Sequence, residues 1–184
     1  MYYYPYMNIY PWHYFVQVPP YDYNRQVWYG YTPEVPKQEH DAMNNNNRVV
    51  RDHGKQPFVV DIEKAAEQNR TFRTALWTGE HLQVTLMSIR VGEDIGLEVH
   101  PSTDQFLRIE EGKGIVQMGD SKNNLTFRQN VQEDSAIFVP AGTWHNVTNT
   151  GNVPLKLYSI YAPPEHPFGT VHVTKKDAIA AEHA

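Results

Sequence analysis

Cysteine is missing altogether from the 184 residues, which excludes disulfides, thiolate metal sites and a cysteine nucleophile, so any metal chemistry must use other ligands. Basic charge is scarce as well. Sixteen Lys and Arg stand against 21 Asp and Glu, a formal net charge of −5, and without a basic footprint neither nucleic acid nor an acidic membrane surface is an expected partner. No apolar run approaches the roughly 18 residues needed to cross a bilayer. The start, Met1-Tyr2-Tyr3-Tyr4-Pro5, lacks a basic segment followed by an apolar one. The sequence reads as that of a soluble cytoplasmic protein without a standard export signal.

Tyrosine is in excess, and it is concentrated: ten of the 12 tyrosines fall in residues 1–31, among Pro5, Pro11, Pro19, Pro20 and Pro33. That stretch has almost no charge and no helical or strand period, and its prolines remove backbone donors, so it is not expected to fold by itself. A tyrosine ring is large and apolar with a polar tip, which suits an arm laid across a surface or a subunit. A partly ordered tail is the plainer expectation. Residues 37–56, with Asn44 to Asn47 and mixed charges around them, read as a polar linker. The chain therefore divides into an arm and linker, 1–57, and a folded domain, 58–184.

From Phe58 onward the patterns are those of a folded domain. Asp61 is placed to cap a short helix with Ile62, Ala65 and Ala66 on one face, ending near Asn69. After Gly79 come eight segments with strand character, at 82–90, 95–100, 105–110, 114–118, 125–129, 136–139, 145–149 and 155–161. Turn signals separate them, among them Gly92, Gly112, Gly119-Asp120, Pro140-Ala141-Gly142 and Gly151-Asn152. This spacing predicts an all-β sandwich or closed barrel. Thr174, with Asp177 three residues later, makes a capping box for a short Ala-rich C-terminal helix.

Alternation along 95–100 puts Glu98 and His100 on one face of their strand, expected to be the barrel interior. A turn at Pro101-Ser102-Thr103 leads into the next strand, which begins at Gln105 with Leu107 and Ile109 on the same side. Far along the chain, Pro140-Ala141-Gly142 forces a tight turn and delivers His145. Glu98, His100 and His145 make a two-His, one-carboxylate set, which suits Fe(II) or Mn(II) and also describes a catalytic zinc site. Gln105 is either a weak neutral ligand or a hydrogen-bonding neighbour of the ligands. Trp144, Tyr158, Tyr161 and Phe106 either line a pocket or belong to the core, and Arg90 and Arg108 are candidates for a substrate carboxylate. Asp104, on the opposite parity from Gln105, reads as a turn or strand-start residue. His166 and His172 read as structural or surface residues, while His13, His40, His53, His81 and His183 show no ligand spacing.

Residues 92–112 and 134–149 resemble the two sequence motifs of the cupins. The first is usually a glycine, His-x-His, a glutamate three or four residues on, and a second glycine. Here Gly92 opens it and those later places hold Glu98, His100, Gln105 and Gly112. The second is usually Gly, Pro-x-Gly, His and Asn, and here Asp134, Pro140, Gly142, His145 and Asn149 stand in those places, with only the leading glycine lost. The resemblance covers roughly 79–163. It implies a double-stranded β-helix, or jelly-roll barrel, holding one divalent metal ion (Mn, Fe, Zn or Ni), with barrels paired as a homodimer. Glu98 replaces the usual first histidine and Gln105 the usual glutamate, an exchange neutral in net charge.

Cupins include oxygenases, isomerases, decarboxylases, sugar-binding modules and sensors, so the fold leaves the function open. A metal-dependent enzyme on a small molecule, of isomerase or oxygenase type, is the first expectation. The ligand composition is similar to that of the zinc phosphomannose isomerases. A non-catalytic module binding a sugar-like small molecule is the second. An assembly protein acting through the tyrosine-rich arm is the third, since such segments resemble those of spore-coat proteins, which makes the spore coat the alternative location.

Overall fold

The computed structural model describes residues 51–182. The tyrosine-rich stretch, most of the linker, and His13, His40 and His183 lie outside the described residues. Asp61 accepts a hydrogen bond from the Lys64 amide and opens α1, Ile62–Gln68, which closes at Asn69. Its Ile62, Ala65 and Ala66 face packs with Leu76, Leu86, Val84 and Tyr158 on the outside of a sheet, as the helical spacing predicts.

Nine strands follow among the described residues: β1 Arg73–Thr78, β2 Gln83–Ile89, β3 Asp104–Glu111, β4 Lys113–Gly119, β5 Phe127–Gln132, β6 Ala136–Val139, β7 Trp144–Asn149, β8 Leu155–Ala162 and β9 Val171–His172. They form a six-stranded sheet in the order β6-β3-β8-β2-β1-β9 and a three-stranded sheet in the order β5-β4-β7, with every pairing antiparallel. This is the all-β jelly-roll architecture expected from the sequence. Helix α2, Lys175–Glu182, starts with the predicted box: the Thr174 amide donates to Asp177 Oδ2 and the Asp177 amide to Thr174 Oγ1.

Two of the predicted strands change, and two more are added. Residues 95–100 are not a continuous strand. They run along β7 through bridges at Asp94 with Thr148 and Glu98 with His145, and the pleat breaks between them because Gly96 sits at φ 96° with its amide held by Asp94. β5 lies two to three residues beyond its predicted place, since this polar edge strand buries only Val131 and carries no alternation to fix its register. β1 and β9 have no counterpart among the predicted strands. β1 is buried on both faces and carries an arginine in its first position, so it lacks an alternating pattern.

Residues 52–56, grouped with the linker on composition, are hydrogen-bonded to β1. The His53 amide donates to Leu76 O, Trp77 Nε1 donates to Gln56 O, and Asp52 accepts from Thr78 Oγ1 and the Gly169 amide.

The interior is graded along the strands. At one end Ile89, Ile109, Leu155 and Leu157 join Val116, Val131 and Val147 in the main apolar core. At the other, the inward residues of β2, β3 and β8 turn polar: Gln83 and Thr85, Gln105, and Ser159 with Tyr161, all buried. Register places Gln83 and Gln105 on either side of Tyr161, so one end of the barrel is lined by side chains that must be hydrogen-bonded or ligated.

Candidate metal centre

Glu98, His100 and His145 converge at that polar end. One ligand atom from each lies within 4.8 Å of the others. The two imidazole rings stand 5.4 Å apart, and Glu98 Oε1 is 3.4 Å from His100 Nε2 and 3.3 Å from His145 Nε2. The turn at residues 140–143 makes this possible: the Gly142 amide donates to His100 O, the Ala141 amide donates to Asp104 Oδ1, and β7 then starts with Trp144 and His145. Reciprocal backbone bonds between Glu98 and His145 lock the two together.

Hydrogen bonds behind the rings set their tautomers. His145 Nδ1 lies 3.0 Å from Thr143 O, and a carbonyl only accepts, so Nδ1 carries the proton. His100 Nδ1 lies 3.1 Å from Glu165 Oε1, with the same consequence. Both Nε2 atoms can then present lone pairs towards the carboxylate oxygen. Three acceptors meeting at 3.3–3.4 Å repel one another unless positive charge lies among them, as a proton or a cation. All three atoms are buried without an aligned hydrogen bond, as are Gln105 Oε1 and Tyr161 Oη.

Electrostatics agree that the carboxylate is charged. Burial works against the Glu98 charge, but the imidazoles of His100 and His145 and the guanidinium of Arg73 outweigh it and hold the carboxyl well below the usual carboxylate range. Arg73, itself buried, stands 3.6 Å from Glu98 Oε2. For His100, burial opposes protonation while Glu98 and Glu165 favour it more strongly, so its pKa is raised. Burial pushes the Tyr161 phenol up to about 12, keeping it a neutral donor. Its ring meets His100 edge-on at 5.5 Å and His166 at 5.1 Å.

Gln105 sits beside these groups on β3, its amide nitrogen donating to Ser159 Oγ at 2.9 Å and its carbonyl oxygen buried and unpaired. Of the aromatic and basic candidates, Tyr161 joins the site, and Phe106, Tyr158, Trp144, Arg90 and Arg108 do not. Phe106 lies on the opposite face of β3, in ring contact with Phe138 and Tyr158. Trp144 is half-buried, with the parity opposite to His145 on β7. Arg90 follows the far end of β2 and lines another cleft. Arg108 pairs with Asp134 and Glu110. Asp104 braces the turn that delivers His145.

Arg73 and Glu165 escaped the sequence reading. An arginine as the lone charge in a buried strand is a signal for a buried charge partner, whereas Glu165, in a proline-rich loop after β8, carries none.

Residues 85–161 match the sequence model of the family described as Cupin domain. The chain is 61% identical over 175 residues to the protein YrkC of Bacillus subtilis (strain 168), covering 92% of this chain and 94% of that one. It is 39% identical over 121 residues to the protein L612 of Acanthamoeba polyphaga mimivirus, covering 65% and 74%. The crystal structure of BH2720 from Bacillus halodurans superposes with a TM-score of 0.71 at 69% identity, covering 71% of this chain and 99% of that one.

Proposed function

The chain belongs to the cupin family, and on that premise we propose that it is a metal-dependent enzyme of isomerase or oxygenase type, acting on a small oxygenated substrate. Glu98, His100 and His145 hold one divalent ion, with Gln105 as a neutral fourth donor. What carries the reading is the meeting of two Nε2 lone pairs with a buried carboxylate oxygen, each imidazole fixed from behind by an acceptor on Nδ1. Two imidazoles, a carboxylate and an amide oxygen fit Mn, Fe, Zn or Ni.

A divalent ion bound there supplies Lewis acidity towards a substrate oxygen or, if redox-active, electron-transfer chemistry. The chain's own residues do the rest. Arg73 balances the Glu98 oxygen turned away from the histidines, Thr143 O and Glu165 fix the ring orientations, and the neutral phenol of Tyr161, buried without a partner, is left as a donor for a bound substrate. We place the protein in the cytoplasm as a homodimer of barrels.

Elemental analysis of protein prepared without chelators or a polyhistidine tag tests this directly. Wild type is expected to carry close to one metal per chain, with the metal lost in His100→Ala and in His145→Ala. A wild type that stays empty after reloading with Mn, Fe, Ni and Zn would sink the reading. Turnover abolished by a chelator and by His145→Ala identifies an enzyme; ligand capture without product identifies a binding module instead.

A further inference from the structure

A second cleft lies at the opposite end of the sheet from the metal centre, on its outer face. Ser88 pairs with Lys156 there, whereas Gln83 pairs with Tyr161 at the metal end. The cleft has a volume of about 470 Å³ and is walled by the segment between α1 and β1, the end of β2, the start of β8 and the start of α2. Its charged lining is lopsided: Arg70, Arg90, Lys156, Lys175 and Lys176 against Glu93 alone. Adding Asp94, which pairs with Lys175, and Glu111, opposite Lys156 in register, makes three acids against five cations, an excess of two positive charges. That excess stands on a chain whose formal net charge is −5, so it is a local concentration and not a general surface property.

Lys156 makes the cleft more than a solvated basic face. It is only 7% exposed, although burying a lysine is costly unless its ammonium is satisfied. Asn69 O accepts one of its three donors. Burial and the nearby Arg70 both weaken the ammonium, with Glu111 the one opposing group. Arg70 and Arg90 are exposed on the two sides, and their forked donors suit the oxygens of a phosphate.

We propose that this cleft binds a small phosphate-bearing molecule, held by Arg70, Arg90 and Lys156, at a site separate from the metal centre. Isothermal titration of the full chain with inorganic pyrophosphate tests it. One saturable site is expected, weakened about tenfold by Arg70→Ala and by Arg90→Ala and weakened further by added salt. Both arginines are exposed, so neither change threatens the fold. His145→Ala is expected to bind pyrophosphate as wild type does, so a failure of the metal reading leaves this result standing. Absence of saturable binding up to millimolar pyrophosphate would overturn the proposal. So would affinity unchanged in the Arg70→Ala, Arg90→Ala double variant, or affinity lost in His145→Ala but kept in the arginine variants, which would place the anion on the metal. Cosedimentation with phosphatidylglycerol vesicles in place of pyrophosphate binding would overturn the small-molecule assignment.

Discussion

One contact behind each imidazole decides what that ring can do in front. For His145 the contact is a backbone carbonyl and cannot be mutated away, but for His100 it is the Glu165 carboxylate at 3.1 Å. Removing an acceptor that orients a ligating histidine typically costs about 10–100-fold in metal affinity. Glu165→Ala is therefore expected to weaken metal binding by that factor in a chelator competition. Little stability should be lost, because the Glu165 side chain is 29% exposed. Affinity equal to wild type would show that the contact orients nothing. His166 offers a separate test. Burial, reinforced by the positive Arg73, pushes its imidazole from the ordinary 6.5 down to about 3. The unfolded chain then binds a proton that the folded chain refuses, so stability is fully present above pH 6.5 and is lost as pH falls from there towards 3, by roughly a few kcal/mol in all. Urea midpoints of chelator-treated protein between pH 7.5 and about 4.5 should fall with a steeper pH slope in wild type than in His166→Gln. Equal slopes would mean that His166 takes up its proton as readily in the folded chain as in the unfolded one. At this scale the cluster of Glu98, His100 and His145 is legible in the sequence and the groups behind it are not. Alternation put Glu98 and His100 on one face, and a turn motif delivered His145. Arg73 and Glu165 act from segments distant in sequence: the lone charge in β1 hints at the first, and no local pattern marks the second.

The element that assembles the centre is the turn at residues 140–143. Its amides donate to His100 O and Asp104 Oδ1, tying the carrier of one histidine and the start of β3 to the start of β7. Gly142 adopts φ 78° there with open space around its α-carbon, so a side chain fits sterically but strains the backbone. Gly142→Val is expected to cost about 1–3 kcal/mol and to lower metal content, as read by thermal unfolding and elemental analysis. Full retention of both would show that the turn tolerates a β-branched residue and does not position His145. Asp134 is the converse case. It holds φ 68° where the family pattern has glycine, and its ion pair with Arg108 is exposed and worth little. Asp134→Gly should be neutral or stabilising by up to about 1 kcal/mol. Turns marked by glycine and proline were readable in this way, and so were strands with one buried face. The segment at 95–100 reads as a strand because its composition hides the break at Gly96, and β1 carries no strand signal because burial on both faces erases the period on which a strand is recognised.

Across the whole molecule, the described residues contain both core clusters, both sheets and every proposed metal ligand. The solved Bacillus halodurans chain is matched over nearly its full length, with more than a quarter of this chain left unmatched. A chain lacking residues 1–50 is therefore expected to unfold within a few degrees of wild type and to keep its metal. Cutting before residue 51 matters, since Asp52, His53 and Gln56 bond to β1 and to Gly169; cutting after 56 should lower the midpoint. The same two samples separate the roles of barrel and arm in assembly. Size-exclusion chromatography with light scattering should give twice the single-chain mass of 21.3 kDa for the full chain, and a dimer again for the shortened one, if pairing belongs to the barrel. A shortened chain that is monomeric yet still metal-loaded would assign assembly to the tyrosine-rich segment and leave the barrel as the chemical part. A full chain of single-chain mass would remove the dimer from the proposed description.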